Sequence, residues 1–420
     1  MRKIAKSEAM LQEAQAVYDG MKTEEHPLDA FVKLGAQYLL QRTLEKEVTE
    51  FLGRNHYRHG GGIRGGWRNG YEAKRLKTSG GPLEVFLPQV RGSEDAFRSR
   101  LLPGIGGGSE VLRKMVLEMY VKGLSTRDVE GLFVETFGKR VLSKSGVSQI
   151  AERLTEDFNL WRKRDLSELK VLYLFLDGIY LPVRQGTDKQ EALLGAYAIL
   201  ESGKKVLLHL TLGSRESYDA CLGFLHDMTA RGLEEPLLII YDGGPGMKKA
   251  AREVFPNAKK QRCQVHRMRN ILSKLPKSVI PEMKRLVQQV FLAPSYDKGI
   301  ERGEKLIARF ENRYPQAMEC LKETLNETLA HLQFPKEHWK FIRTTNLLER
   351  TWGEARRRTK VIPRFPTETS CLKLVFAALI GSAKRWRGIR VTPEILRKLD
   401  MLRAKIFAMK TAETAIKMAA

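Results

Sequence analysis

The sequence predicts an α/β protein with a helical N-terminal part. Apolar residues recur at helical spacing through about residue 52, which predicts helices there. From about residue 170, short apolar runs typical of buried strands alternate with helical patterns. Two of these runs are each followed by an aspartate, Asp177 and Asp242. Such alternation is typical of a sheet with helical crossovers, in which ligands gather where strands end.

The composition indicates an ordered, strongly basic protein. The chain has 420 residues, of which 42% are hydrophobic, and a formal net charge of +24. That length allows several structural units. Positive charge spread along a whole chain favours a polyanionic partner, most often nucleic acid. A ribosome-associated or merely basic protein would show the same charge, so this observation alone does not decide the partner.

Cysteine usage and apolar runs exclude several classes of protein. The four cysteines form no CxxC pair, which excludes a disulfide framework and a zinc finger and fits a reducing cytosol. The N-terminal sequence lacks the apolar core of a signal peptide. The longest apolar stretches are far too short to cross a bilayer. We therefore expect an intracellular protein that makes no contact with a membrane.

A basic, glycine-rich stretch and three helices follow the N-terminal helices. Residues 54–78 contain too many glycines for a helix, and Arg and Lys surround Trp67. The next segment, GPLEVFLPQVRG, alternates like a strand, and its prolines suggest a sheet edge. Residues 109–154 predict a helix-turn-helix, with a capping box from Ser125 to Asp128. This pattern suits a reader of the DNA major groove, although an ordinary three-helix bundle has it too.

Strands and helices alternate in the middle of the chain. The run VLYLFL predicts a buried strand that ends on Asp177. At least two further strands are predicted from GIYLPVRQ, EALLGAYAIL and KKVLLHLTLG, with a turn at ESGKK. An amphipathic helix closed by Gly232 precedes the strand LLIIY, which ends on Asp242. After one more helix and a short strand at AKKQRCQV, the pattern is helical to about residue 340.

Two aspartates at strand ends predict a site for divalent metal ions. In a sheet with helical crossovers, Asp177 and Asp242 are expected to converge. Carboxylate oxygens are hard ligands that suit Mg²⁺ or Mn²⁺. Two such ions can activate a hydroxyl or water and stabilise the leaving oxygen of a phosphodiester. The alternative is that each aspartate only caps the turn or helix that follows it.

The glycines after Asp242 do not match a nucleotide-binding loop. The segment DGGPGMKKA lacks the glycine spacing of a P-loop and the Ser or Thr after its lysine, and GGPGMK does not fit GxGxxG. Asp242 would also place a negative charge beside any phosphate unless a metal lay between them. We therefore expect no nucleotide cofactor.

Cys263 and His266 lie three residues apart in a strongly basic segment. A structural zinc site generally needs four ligands, and no second Cys/His pair stands nearby. We therefore predict that this pair is structural and holds the junction between a strand and a helix. Glu253 is the only acid between residues 248 and 274, which predicts a surface for phosphates.

A third candidate segment contains Asn346 and Glu349. The two residues are also spaced like a simple capping pair at a helix start, and that alternative stays open. Residues 349–364 are rich in arginine and lysine, and a helical period directs these side chains to different faces. One face can therefore present a carboxylate to metal ions while another contacts the DNA backbone.

Several sequence blocks, in one order, resemble the bacterial Mutator-type transposases, the insertion-sequence family typified by IS256. The blocks are LFLDGIYLPVR, IIYDGGPGMKKAAREVFPNAKKQRCQVHRMRNIL and RTTNLLERTWGEARRRTKVIPRFP. Nearer the N-terminus, WRNGYEAKRLKTSGGPLEVFLPQVRG, LLPG and YVKGLSTRDVEGLF resemble the same family. The resemblance covers roughly residues 30–390.

The resemblance implies an RNase H-like catalytic domain with an α-helical insertion, preceded by helical and helix-turn-helix DNA-binding regions. The predicted domains are a helical region for DNA binding or oligomerisation at 1–58, a DNA end-binding region with the glycine-rich segment, strands and helix-turn-helix at 59–165, the first part of the core at 166–266, the insertion at 267–340, the final core helices at 341–390 and a C-terminal helical tail at 391–420.

The resemblance also implies a DDE triad. By position, the triad is Asp177, Asp242 and Glu349, which would bind two Mg²⁺ or Mn²⁺ ions. Cys263 and His266 match the CxxH motif of the family, close to the active site but not among the catalytic metal ligands. The predicted DNA-binding residues lie around these motifs and are Arg64, Trp67, Arg68, Lys248, Lys249, Arg262, Arg267, Arg350, Arg356, Arg357, Arg358 and Lys360.

We therefore predict an insertion-sequence DDE transposase. It would bind terminal inverted repeats, cleave DNA strands at the element ends and join 3′-OH ends to target DNA, through a circular intermediate. The family implies a homodimer or larger oligomer in the bacterial or archaeal cytosol, associated with the nucleoid. Two alternatives stay open. A structure-selective nuclease or resolvase of the same fold would cleave without joining, and an inactive regulator derived from a transposase would only bind DNA.

Overall fold

The computed structural model describes residues 5–20, 27–55, 65–105, 108–181, 191–213, 217–359, 365 and 367–419. The chain divides into two compact units, Met1–Arg153 and Leu154–Ala420. Among the described residues, no helix is both long and apolar enough to cross a membrane.

The first unit contains helices and one two-stranded sheet. Its elements, with the helix that continues beyond it, are α1 (Lys6–Gly20), α2 (Pro27–Leu52), β1 (Trp67–Thr78), β2 (Gly81–Arg91), α3 (Leu101–Ile105), α4 (Glu110–Val121), α5 (Thr126–Phe137) and α6 (Lys144–Lys163). Strands β1 and β2 pair antiparallel. Leu44 of α2 packs with Leu76, Leu83 and Val85 of this hairpin. The predicted helices are present in the described part of the first 52 residues, and the predicted strand at β2 is confirmed, whereas no strand was predicted at the position of β1.

The three helices predicted between residues 109 and 154 are present as α4, α5 and the start of α6. The capping box at the start of α5 is confirmed, because the Ser125 side chain accepts a hydrogen bond from Asp128 N and the Asp128 carboxylate accepts one from Ser125 N. Val116 and Phe133 lie in the buried cluster between these helices. A role of this helical group in DNA binding stays a prediction.

The second unit is built on a five-stranded mixed sheet. Its elements are β3 (Val171–Leu181), β4 (Glu191–Leu200), β5 (Lys205–Gly213), α7 (Tyr218–Ala230), β6 (Leu238–Tyr241), α8 (Pro245–Val254), β7 (Lys259–Arg262), α9 (Gln264–Leu272), α10 (Ile280–Phe291), α11 (Tyr296–Phe310), α12 (Pro315–Lys322), α13 (Leu325–Leu329), α14 (Trp339–Ile342), α15 (Asn346–Thr359), α16 (Glu368–Ala383) and α17 (Pro393–Ala419). The strand order is β5-β4-β3-β6-β7. The pairs β3/β4 and β4/β5 are antiparallel, and β3/β6 and β6/β7 are parallel.

The first catalytic candidate lies inside a strand, which corrects the prediction that the strand ends on Asp177. Strand β3 continues to Leu181 because it keeps pairing with β4 along its whole length. It pairs with β6 only from Tyr173 to Leu176. Asp177 therefore lies where β6 separates from β3, and the segment GIYL is the end of β3. The predicted end of β6 immediately before Asp242 is confirmed.

Apolar clusters of the described residues support the second unit. One covers a face of the sheet, where Leu174, Leu194 and Ile239 pack against residues of α7 and α8 such as Phe224 and Ala250. Another joins α9 to α13 and consists only of helical and connecting residues. The helical pattern predicted up to about residue 340 is thereby confirmed for the described residues.

Candidate active site

The pairing of β3 with β6 places Asp177 and Asp242 at equivalent positions of neighbouring strands. Leu176 and Tyr241 are the last paired residues of the two parallel strands, and each aspartate comes next in its chain. Asp177 is 6% exposed, and Asp242 is half-buried. The Gly244 amide donates to Asp242 Oδ1 at 3.0 Å, which orients this carboxylate at the start of α8.

Helix α15 brings Glu349 to the same region. Trp352, one turn after Glu349, packs so closely over Gly195 of β4 that a Cβ at Gly195 would lie 2.6 Å from its ring. Gly195 is the residue of β4 that pairs with Asp177. The absence of a side chain at Gly195 thus lets α15 lie against the sheet beside Asp177, with Glu349 in its first turn.

The three carboxylates interact electrostatically. Burial, together with the charges of Asp242 and Glu349, raises the pKa of Asp177 to about 7, while His266 opposes the shift. An acid is affected in this way when other negative charges lie close to it in a poorly solvated site. The Glu349 Oε1 atom is buried and has no hydrogen-bond partner among the described residues. Carboxylate oxygens are the donors that a hard divalent cation prefers, although the group of potential ligand atoms that the described residues bring within 4.8 Å of one another is that of Cys263, His266 and Glu349.

Cys263 and His266 lie directly against Glu349. The His266 Nε2 atom is 3.4 Å from Glu349 Oε1, and the candidate ligand atoms of Cys263, His266 and Glu349 all lie within 4.8 Å of one another. Thr345 donates to the Cys263 sulfur from its amide and its hydroxyl, each at 3.4 Å. The predicted strand-to-helix junction is present, because Cys263 follows β7 and caps α9. The approach to Glu349 adds a contact that the spacing did not reveal.

The same cluster shifts the pKa values of both residues. Interaction with Cys263 and the negative charges of Glu349 and Asp177 raise the pKa of His266 to about 8, although burial opposes this. Burial raises the pKa of the Cys263 thiol, but contacts with His266 and Thr345 outweigh burial, so the pKa lies below its ordinary value. A positively charged His266 therefore partly compensates the carboxylates.

Comparison with known proteins identifies the family. A family model described as "Transposase, Mutator family" matches residues 6–388 of the chain. The chain belongs to the Mutator family of transposases. This finding confirms the family predicted from the sequence blocks around Asp177, Asp242 and Glu349.

Curated relatives of this Mutator-family chain are named as transposases of insertion sequences. It is 33% identical to the transposase for insertion sequence element ISRM5 of Rhizobium meliloti (strain 1021), over 83% of this chain and 86% of the relative. The chain is 34% identical to the transposase for insertion sequence element IS406 of Burkholderia multivorans, over 83% of this chain and 89% of the relative. It is 30% identical to the transposase for insertion sequence element IS256 in transposon Tn4001 of Staphylococcus aureus, again over 83% of this chain and 89% of the relative.

The predicted DNA-binding residues of the second unit of this family member differ in exposure. Lys249, Arg350, Arg356 and Arg357 are exposed, and Lys248 and Arg358 are half-buried. Several have protein partners. The Lys249 ammonium lies 4.0 Å from the Tyr218 ring centre. The Lys248 ammonium lies 3.2 Å from Glu327 Oε1. Arg357 and Arg358 both form ion pairs with Glu354. DNA phosphates would have to compete with these partners.

Arg262 and Arg267 lie inside the protein, although a phosphate-binding surface was expected in this segment. They are 8% and 5% exposed. The Arg262 guanidinium packs against Gly243, beside the second aspartate, and Arg267 Nη2 lies 3.4 Å from Glu323 Oε2. Both side chains thus face protein groups, and their assignment as DNA contacts stays a prediction.

In the first unit, the predicted DNA-binding residue Trp67 is exposed, whereas Arg68 forms hydrogen bonds within the protein. Trp67 is 58% exposed. Arg68 is half-buried and donates from Nη2 to Thr49 Oγ1 and to the Arg54 carbonyl, both at 3.0 Å. Arg64 and Lys360 lie outside the described residues.

One acidic residue beside the site was not identified from the sequence. Glu327 of α13 accepts hydrogen bonds from Tyr241, the residue before Asp242, at 3.0 Å and from Arg252 at 2.6 Å. It also contacts Lys248 at 3.2 Å. A single glutamate in a helical segment gives no sequence signal, because its partners come from other elements.

Proposed function

We propose that this Mutator-family member is an insertion-sequence transposase whose Asp177, Asp242 and Glu349 form the catalytic carboxylate set. It would cleave DNA strands at the ends of its element and join the freed 3′-OH ends to DNA. The observation that supports this most strongly is that Asp177 and Asp242 directly follow the last paired residues of the neighbouring parallel strands β3 and β6. The names of the relatives agree with this function.

We propose Mg²⁺ or Mn²⁺, two ions, as the cofactor. The three carboxylates would hold them, because oxygen donors of this kind suit hard cations and Glu349 Oε1 accepts no hydrogen bond from a described residue. When bound, such ions polarise the phosphodiester and stabilise the attacking and leaving oxygens. Asp177 and Asp242 are fixed by the sheet, and Trp352 fixes the helix that bears Glu349. His266 would limit the charge repulsion within the carboxylate set before DNA binds.

We also propose that the sheet is an RNase H-like core. Its order of three antiparallel strands followed by two parallel ones, β5-β4-β3-β6-β7, supports this. The carboxylates on the central β3 and after the adjacent β6 agree with such a core. The mainly helical segment from α9 to α14 would then be its insertion.

The proposed partners are the terminal inverted repeats of the element and target DNA, joined through a circular intermediate by a homodimer or larger assembly. The net charge of +24 supports a polyanionic partner. Exposed Trp67 and the half-buried Arg68 in the first unit support contacts to bases and backbone.

The function is tested with an Asp177→Asn variant and DNA carrying the inverted repeats that flank the gene. Nicking in Mg²⁺ should fall by roughly a hundredfold or more, because losing one electrostatic contact to a transition state costs about that much. Binding of end DNA, measured by gel shift, should persist. The variant should also resist urea at least as well as the wild type at neutral pH, since it removes a buried charge from a repulsive cluster.

The matched control is Asp400→Asn, which removes the same charge at an exposed position of α17. It should nick like the wild type. Undiminished nicking by Asp177→Asn would contradict the catalytic assignment. Cleavage of ends without strand joining by the wild type would favour a nuclease or resolvase.

A further inference from the structure

A cavity of about 680 Å³ lies next to the carboxylate cluster and has no role in the proposed reaction. It is lined by α9, α10, Lys340 of α14 and the segment from Arg343 to Asn346 that leads into α15. The Gln264 amide donates to the Arg343 carbonyl at 3.0 Å, which ties two of these walls together. The volume falls within the range of roughly 300–1,000 Å³ that is common for small-ligand sites.

The cavity and the carboxylate cluster share their walls. Thr345 donates to the Cys263 sulfur on the cluster side, while its neighbours Thr344 and Asn346 line the cavity. On α9, Val265 lines the cavity, and the next residue, His266, contacts Glu349. The cavity and the carboxylates are therefore built from the same two parts of the chain, helix α9 and the segment that leads into α15.

Much of the cavity wall is apolar. The apolar wall consists of Met268 and Leu272 of α9, Ile280 of α10 and Leu292, which caps the end of α10. Leu292 is 57% exposed, which is a high fraction for a large apolar side chain beside a concave surface. An apolar concave wall of this kind suits a flat, weakly polar group, and a thioether such as that of Met268 contacts aromatic rings favourably.

The charged residues of the cavity are all cationic. They are Arg269, Lys284, Lys340 and Arg343, and the described residues place no acidic side chain in its lining. Within the described part of the chain, none of the four forms an ion pair with an acid. A ligand that complements this cavity therefore combines an apolar, flat part with negative charge, and this is the chemistry of a nucleotide.

We propose that this cavity receives one nucleotide of a bound DNA strand, with its base unstacked against the apolar wall and its phosphates near the four cations. The proposal rests on the proposed function, because the strand held at the carboxylates supplies the nucleotide. Enzymes that act on DNA can gain selectivity in this way, since unstacking a base costs a few kcal/mol and is easiest near ends and mismatches.

The test compares two single-stranded probes of equal length and charge, an oligothymidylate and the same backbone without bases. Affinities are measured by fluorescence anisotropy at one salt concentration, without divalent metal, using the full chain. We expect the wild type to bind the oligothymidylate roughly fivefold more tightly, the lower end of what base stacking contributes. Leu292→Asp should abolish this preference, because it places a charge in the apolar wall.

Met401→Asp is the matched control, since it introduces the same charge at a residue that is 73% exposed on α17. It should keep the preference. A second variant, Lys284→Gln, should weaken both probes equally and reduce the salt dependence of binding by about one phosphate contact.

The outcomes separate the two proposals. A wild type that binds both probes equally, or a Leu292→Asp variant that keeps the preference, contradicts the nucleotide cavity and leaves the transposase proposal standing. The second outcome would assign base contacts to another surface, such as the exposed Trp67. A wild type that binds neither probe contradicts the nucleotide cavity, and the gel shift with end DNA then shows whether the proposed function fails with it.

Discussion

Gly243, directly after Asp242, is constrained by its own conformation and by a neighbour. Its φ angle is +98°, and a Cβ built there would lie 0.9 Å from Arg262 Nη1. L-amino acids rarely adopt such a φ angle. The buried Arg262 guanidinium therefore occupies the space that a side chain would need, and the two residues together fix the loop that holds the second aspartate.

Replacing this glycine should damage both stability and activity. We expect Gly243→Ala to lower the free energy of unfolding by roughly 1–3 kcal/mol, from backbone strain and displacement of Arg262. Nicking should fall as well, because the Asp242 carboxylate would move. Urea denaturation and the nicking assay measure the two effects. Gly223→Ala lies inside α7, where a Cβ meets nothing within 4 Å, so it should leave nicking unchanged and raise the free energy of unfolding slightly, because alanine favours a helix. Normal nicking by Gly243→Ala would show that this loop does not position Asp242.

Single residues of the site could be predicted to different extents. The apolar runs before Asp177 and Asp242 indicated both aspartates, because buried strands and the polar residue that interrupts them are local features. The spacing of Glu349 alone favoured a capping residue, and only the family resemblance assigned it to the triad. The contact of His266 with Glu349 could not be predicted, since it depends on how α15 packs over Gly195.

At the scale of elements, Glu327 links the helical segment α9–α14 to the sheet. It joins α13 to Tyr241 at the end of β6 and to Lys248 and Arg252 of α8. Its side chain is 16% exposed, so these charges interact in a partly desolvated environment. The contact holds the helical segment against the two elements that flank Asp242.

Neutralising this glutamate should weaken the link between the elements. Glu327→Gln keeps the shape of the side chain but replaces one carboxylate oxygen by an NH2 group. This group is a hydrogen-bond donor and would face the donors of Tyr241, Lys248 and Arg252. We expect the free energy of unfolding to fall by roughly 1.5–3 kcal/mol, the usual contribution of hydrogen bonds to charged groups. Glu304→Gln, an exposed position of α11, makes the same charge change and should be neutral in urea denaturation. Equal stability of the two variants would contradict the structural role of Glu327.

The elements that were missed or misplaced have physical reasons. Strand β1 is largely exposed, with Leu76 as its only buried residue, so it lacks the apolar alternation that reveals a strand. Strand β3 continues past Asp177 because it stays paired with β4 after its pairing with β6 has ended. The sequence of one segment does not show which strands pair with it, so this end could not be predicted. The strongly apolar β4, β5 and β6 were predicted, because burial on both faces produces long apolar runs.

For the molecule as a whole, two buried histidines link stability to pH. His331 is 1% exposed and His209 is 3% exposed. Burial lowers the pKa of His331 to about 3, with a further contribution from the charge of Arg343. Burial likewise lowers the pKa of His209 to about 4, although Asp227 opposes the shift. An unfolded histidine binds a proton near pH 6.5, so acid favours the unfolded chain.

The contribution of His331 should be measurable as a pH slope. Because its folded pKa is lowered, its stabilising effect is complete above about pH 6.5 and is lost progressively as the pH falls towards 3. Between pH 6 and pH 5, the wild type should therefore lose roughly 1 kcal/mol of unfolding free energy more than a His331→Phe variant. The variant should be less stable at pH 7, because its ring cannot hydrogen-bond to the backbone at Thr328.

His226→Phe on α7, at an exposed position, should follow the wild-type slope in urea denaturation. If His331→Phe also showed the wild-type pH slope, the prediction would be contradicted. That result would mean that His331 binds a proton equally well in the folded and the unfolded chain.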